Sequence, residues 1–140
     1  MLSQALPALR RERMSTVDTA WLRMDSTGNL MLIVSVLMFD RPMDMDRFLH
    51  VMQTRFLRYS RFRSRVVHDM TGGAWWQEQE IDLDHHIVRT RLESGNPGNK
   101  AALEQMVGEL SATPLDPSRP LWQMHLVDNC IGEDGMTRRG

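Results

Sequence analysis

Two stretches of the chain carry apolar residues at helical spacing. From Asp44 onward Met45, Leu49, Met52 and Phe56 recur at steps of four and three, and Phe48 and Val51 widen the stripe. One face of a helix is therefore apolar, and it should end near Tyr59-Ser60. Leu103, Met106, Val107 and Leu110 repeat the same spacing after the loop "SGNPGN" and predict a second amphipathic helix. A third helix is announced by its cap. In Ser15-Thr16-Val17-Asp18 a hydroxyl precedes a carboxylate by three residues, so a short helix should start there, carry Ala20, Trp21, Leu22 and Met24, and end near Thr27-Gly28.

The remaining apolar runs read as strands. "NLMLIVSVLMF", bounded by Gly28-Asn29 and Asp40-Arg41-Pro42, contains Ile33, Val34 and Val36 and predicts a strand buried on both faces. "FRSRVVHDM" and "AWWQEQEI" flank Thr71-Gly72-Gly73, the pattern of a hairpin with a tight turn. "HHIVRTRL" is a further strand candidate. After the turn-rich "SATPLDPSRP", "LWQMHLV" alternates Leu121, Gln123, His125 and Val127 against Trp122, Met124 and Leu126, a strand with at least one strongly apolar face. Helices and strands are mixed without repeats, which predicts an α/β (α+β) fold: one mixed sheet with helices packed on it.

Length and composition fit this picture. A chain of 140 residues is about one domain, and such a domain buries about 70% of the surface its unfolded chain exposes. Hydrophobic residues at 41% and charged residues at 25% argue against disorder. The net charge of −1 exerts no global pull toward nucleic acid or anionic lipid. Cys130 is the single cysteine, which leaves no internal disulfide or CxxC motif and fits a cytoplasmic setting. The longest apolar run, Leu30 to Phe39 with Ser35 inside it, is about half of the roughly 18 residues that suggest a membrane span. Residues 1–13 place their arginines after the weakly apolar part, the reverse of a secretory signal, and read as a loose extension with Met14 as an alternative start.

Three groups could carry chemistry. His85 and His86 follow Asp82 and Asp84, a set suggestive of a metal or catalytic site. In a strand, neighbouring side chains point to opposite faces, and in a helix they lie about 100° apart. Neither arrangement suits shared ligation, so a solvated turn is the better reading. Arg55, Arg58, Arg61, Arg63 and Arg65 interleave with Phe56, Tyr59 and Phe62, a pattern that can track a nucleic-acid backbone. Phe56 already belongs to a helix stripe, and cations suit a helix C-terminus, so no nucleic-acid partner is expected. Trp75-Trp76 and the Met-rich strand suit either an acyl-chain pocket or simple core. Cys130 has no basic neighbour or helix N-terminus to lower its thiol pKa and is not expected to be a nucleophile.

Taken together, "VDTAWLRMDSTGNLMLIVSVLMFD", "LRYSRFRSRVV" and above all "PLDPSRPLWQMHLVD" resemble the N-terminal part of the bacterial wax ester synthase/diacylglycerol acyltransferase family. The resemblance runs from about Met14 to about Asp128. It implies a partial chloramphenicol-acetyltransferase-like domain over residues 14–130, followed by a divergent tail at 131–140. It also implies an acyl-CoA-dependent O-acyltransferase making triacylglycerol or wax esters from diacylglycerol or long-chain alcohols. Acyl-CoA would be a co-substrate, with no cofactor or metal, and the protein would sit in the cytoplasm or peripherally at a membrane or lipid-droplet surface.

The family's signature is H-H-x-x-x-D-G, whose second histidine serves as general base on the acceptor hydroxyl. Such a base must come within about 2.6–3.2 Å of its partner. "HHIVRTRL" has Thr90-Arg91 where Asp-Gly is required, and it precedes the "RPLW" segment that the signature should follow. Beyond "HLVDN" the chain reads "CIGEDGMTRRG", with Met136 the one apolar residue after Gly135. The expected catalytic residues in this chain are therefore none, as for a truncated or frameshifted member that is inactive alone. The family motif carries over at Pro120, Leu121 and Trp122 as a substrate-contacting or structural element. Arg119 and Asp116 beside it are expected to fix the turn by a local salt bridge, and Trp122 is expected to lie more in core than on ligand. A non-catalytic module that docks on lipid surfaces or on a homologue is the alternative.

Overall fold

The computed structural model describes residues 9–93, 98–131 and 137–138, the backbone alone for 131, 137 and 138. Ser15 caps helix α1, Thr16–Met24, by accepting a 3.1 Å bond from the Asp18 N–H. The helix stops at Met24, short of Thr27-Gly28, because Asp25 is extended and its Oδ1 accepts from the Met31 N–H at 2.8 Å. Asp44 likewise caps α2, Met45–Val51, accepting from the Arg47 N–H. One π-turn, Met52–Phe56, prolongs that helix with a Leu57 N–H to Met52 carbonyl bond of 2.9 Å.

Strands β2, Ser64–His68, and β3, Ala74–Glu78, form the hairpin expected around Gly72, whose φ of 82° only glycine adopts readily. The Asp69 carboxylate organises the turn. Its Oδ1 accepts from the Thr71 and Gly73 N–H groups and the Thr71 hydroxyl, and its Oδ2 accepts from the Trp75 indole at 2.9 Å. These bonds, the Trp75 indole first, hold the Asp69 carboxyl well below the usual carboxylate range. The outer edge of β3 is covered by β1, Arg11–Arg13, so this part of the 1–13 segment is not loose. The cause is a ladder that continues on both sides, through Glu78 N–H to the Arg10 carbonyl and Met14 N–H to the Ala74 carbonyl, both 2.9 Å. Arg11 also lies over the Trp75 ring.

A one-turn helix α3, Leu83–His86, leads into β4, Ile87–Thr90, which pairs in parallel with β5, Met124–Val127. Helix α4, Lys100–Ser111, lies between them in sequence, where the second amphipathic stripe was expected. Its Ala102, Leu103 and Met106 pack on buried Leu92, Val127 and Cys130. Cys130–Ile131 (β6) pairs with Thr137–Arg138 (β7), a short strand where the sparse apolar content past Gly135 gave no expectation of one. Ser94 to Pro97, most of the expected "SGNPGN" loop, lie outside the described residues.

Among the described residues the expected single sheet is thus three separate pairings: an antiparallel three-stranded sheet, a parallel pair and a two-residue pair. The difference traces to Leu30–Phe39, expected as a strand buried on both faces. Ile33 is 90% and Leu37 70% exposed, and residues 30–38 pair with no strand. Apolar patterning alone does not make a strand; a partner edge must be within reach, and none among the described residues offers one.

Candidate functional site

Sequence order puts "HH" far from "PLW", yet the fold stacks them. The caps of α3 hold His86 at its last position, buried to 1% exposure, with its ring 4.3 Å from the Trp122 ring at an interplanar angle of 21°. Its Nδ1–H donates to the Trp122 carbonyl at 2.7 Å, so Nδ1 carries a proton. Burial pushes the His86 pKa below its ordinary value, against the opposing pull of that carbonyl. His85 and His86 lie on this helical turn and not in the strand, because Asp82 Oδ1 accepts from the Asp84 N–H and starts a turn there. The two rings stand at 87° to each other, a poor geometry for one ion. Among the described residues no group of three or more His, Cys, Asp or Glu is placed to hold a metal.

Trp122 is the hub. Its indole N–H donates to the Phe62 carbonyl at 2.8 Å, and its ring meets Phe56 edge-on at 5.0 Å. Phe56 in turn stacks on Phe62. Pro120 before it is buried, Leu121 is 44% exposed, and the side chains of Leu121 and Trp122 face a groove that Pro120 does not line. Arg119 makes the expected local pair with Asp116 at 3.6 Å and a second, with Asp82, at 3.3 Å. Asp116 also accepts from the Ser118 hydroxyl and N–H, and these bonds lower its pKa.

Three of the five arginines of the run are engaged by neighbouring side chains. Arg63 pairs with largely buried Glu78 at 3.0 Å and donates to the Leu57 carbonyl. Arg61 lies over Trp76 and near Glu12, and Arg58 over Tyr59. Phe56 and Phe62 turn inward onto each other and Trp122, while Tyr59 is 60% exposed.

The groove has a volume of about 380 Å³ and apolar walls from three sources: Leu32 to Phe39, the Leu103/Met106/Val107/Leu110 stripe of α4, and the Leu121–Val127 segment. That size falls in the range of small-ligand sites. Four polar side chains interrupt it, Ser35, Thr113, Gln123 and His125. His125 spans from Thr90 Oγ1 to Gln123 Oε1, each 3.2 Å away, and Gln123 donates onward to the His85 carbonyl at 2.8 Å. Burial lowers the His125 pKa. Trp75 and Trp76 line no part of this groove; they flank the arginines of the hairpin.

Two residues were missed. Asn129 bonds both main-chain groups of Leu92, accepting from its N–H at 2.9 Å and donating to its carbonyl at 2.8 Å. Asn99, 2% exposed, donates to the Asn129 carbonyl at 2.6 Å. An asparagine beyond a strand or before a helix reads as a turn, and no periodicity marks such a bracket.

Comparison with known proteins bears on what the groove is for. Residues 14–133 match the model of the wax ester synthase/diacylglycerol acyltransferase catalytic domain. The chain belongs to that family. Within the wax ester synthase/diacylglycerol acyltransferase family, it is 30% identical over 122 residues to the Mycobacterium tuberculosis "Probable diacyglycerol O-acyltransferase tgs3", covering 83% of this chain and 44% of that protein. An Arabidopsis thaliana relative, "Wax ester synthase/diacylglycerol acyltransferase 4", is 35% identical over 98 residues, covering 69% of this chain and 19% of its own. The chain therefore spans less than half the length of these curated relatives. No solved structure matches it at a significant level. The 140 residues contain no H-H-x-x-x-D-G, so the family's acyl-transfer signature has no counterpart in this site.

Proposed function

We propose that this chain forms the N-terminal, lipid-binding part of an acyl-CoA-dependent O-acyltransferase of chloramphenicol-acetyltransferase-like fold. The proposed enzyme esterifies diacylglycerol or a long-chain alcohol, and the 140 residues alone do not catalyse the transfer. The observation that carries the reading is the apolar groove walled by α4 and the Leu121-Trp122 segment. An acyl chain in it gains burial worth about 0.8 kcal/mol for each CH₂ group removed from water. Leu121 and Trp122 serve as substrate contacts in this reading, and Pro120 sets their turn.

Titration of the chain with palmitoyl-CoA, read by tryptophan fluorescence, should saturate, and Met106→Arg in the α4 wall should abolish the signal. No saturable binding would refute the groove's role. Incubation with palmitoyl-CoA and hexadecanol or diacylglycerol should release no coenzyme A. Turnover lost on replacing His85 or His86 would overturn the assignment of those residues.

A second reading has its own observation. Val17, Trp21 and Met24 lie on one stripe of α1 and are 65%, 53% and 53% exposed, as for a helix that rests on a lipid surface. It places the protein in the cytoplasm with peripheral lipid contact, without a spanning segment. Among the described residues no helix is long and apolar enough to cross a membrane. Flotation with neutral lipid droplets should persist in high salt and be lost in Trp21→Glu.

A further inference from the structure

The run Leu32–Met38 walls the groove with side chains, but its backbone takes no part in any pairing described above. Its backbone N–H and carbonyl groups make no hydrogen bond among the described residues. Its exposure alternates: Ile33 is 90% and Leu37 70% exposed, against 38%, 49% and 48% for Val34, Val36 and Met38. Every residue from Leu32 to Met38 borders the groove, and Ile33 and Leu37 are the two that remain most open to solvent. The sequence "LIVSVLM" is close to a palindrome about Ser35, with Val34 and Val36, Ile33 and Leu37, and Leu32 and Met38 as equivalent pairs.

We infer that this segment pairs with the same segment of a second copy of the chain, antiparallel and centred on Ser35. A two-fold axis needs a self-complementary patch, in which residue i meets j and j meets i. Centring on Ser35 supplies it. Val34 of one copy meets Val36 of the other, and Ile33 meets Leu37, so the two most exposed side chains of each copy become cross-strand neighbours. The small Ser35 meets itself at the axis. Farther out, Asp40 falls opposite Leu30 and Arg41 opposite Asn29, so no like charges face each other. Pro42 and Gly28 end the pairing. Unpaired backbone flanked by β-branched side chains is the template on which strands add.

Cysteine scanning tests register and partner together. In Ser35→Cys the two sulfurs sit at directly opposed positions, with Cα atoms about 4.5–5.5 Å apart, inside the range for a disulfide. Mild oxidation should give a covalent dimer. In Ile33→Cys the equivalent positions are offset by four residues, about 14 Å, and no dimer should form. Sedimentation should show a concentration-dependent dimer of the unmodified chain. A strand turns its odd and even N–H groups to opposite edges, so at least one of Val36→Pro and Leu37→Pro should weaken that dimer about tenfold or more, two hydrogen bonds being lost per dimer. Neither proline disturbs a backbone bond within one copy among the described residues. A strictly monomeric chain, equal cross-linking by both cysteine variants, no cross-linking by Ser35→Cys, or an undiminished dimer in both proline variants would each overturn the inference.

Discussion

Asn129→Ala should cost about 2–4 kcal/mol. In the native chain the Asn129 amide supplies one more rung beyond the last β4–β5 pair, Thr90 with Val127. It satisfies the N–H and carbonyl of Leu92, a residue 7% exposed. Truncation leaves both groups without a partner, and each buried orphan costs about 1–3 kcal/mol. The total is set toward the lower half of the sum because Asn129 itself is half-buried. Against a whole-domain stability of about 5–15 kcal/mol, the loss should be plain in a urea titration followed by far-ultraviolet circular dichroism, with an unchanged slope. Asn129→Asp sharpens the test. Its carboxylate still accepts from the Leu92 N–H but sets an oxygen against the Leu92 carbonyl, which favours the protonated acid in the folded state and raises its folded pKa. The stability it contributes is present below the ordinary aspartate pKa of about 3.9 and lost as pH rises through the folded value. Its deficit relative to the parent should therefore shrink on acidification, while that of Asn129→Ala should not. An alanine variant within about 0.5 kcal/mol of the parent would refute the bracket.

Trp122→Phe removes the donor to the Phe62 carbonyl and should cost about 1–2 kcal/mol in the same titration; a smaller loss would mean the indole bond is not formed in solution. Gly72→Ala forces a side chain into a φ of 82° and should cost about 1–2 kcal/mol by the same measure. Burial lowers the pKa of both His86 and His125 in the folded chain. Their contribution is fully present above the unfolded value of about 6.5 and is lost as pH falls toward the folded values. Melting temperature should therefore drop between pH 7 and pH 5, and His86→Gln should flatten that dependence.

Local signals were legible where local physics decides. Ser15 caps its helix as its spacing implied, the stripe from Met45 onward forms a helix, Gly72 turns the hairpin, and the 103–110 stripe packs on the core. The same holds for the Arg119–Asp116 pair. What failed depended on partners far away in sequence. Leu30–Phe39 has the composition of a strand, yet residues 30–38 join no edge among the described residues. His86 met its fate through the Trp122 carbonyl, 36 residues on, which no period in the sequence announces. Arg11–Arg13 gained order only because β3 offers an open edge. The groove emerged from three segments whose stripes were readable singly but whose meeting was not.

The parallel pairing of β4 with β5 also sets an order of events. The hairpin β2–β3 closes across five residues, 69–73, whereas β4 and β5 must find each other across residues 91–123. Chain entropy makes the longer closure about 1.7 kcal/mol harder, before any contact within it is made. The hairpin should therefore nucleate first, and helix α4 must condense the intervening chain before the strands can meet. In kinetic terms Leu92, Asn99, Asn129 and Cys130 belong to the last step. Substitutions there should speed unfolding while leaving the refolding rate nearly untouched.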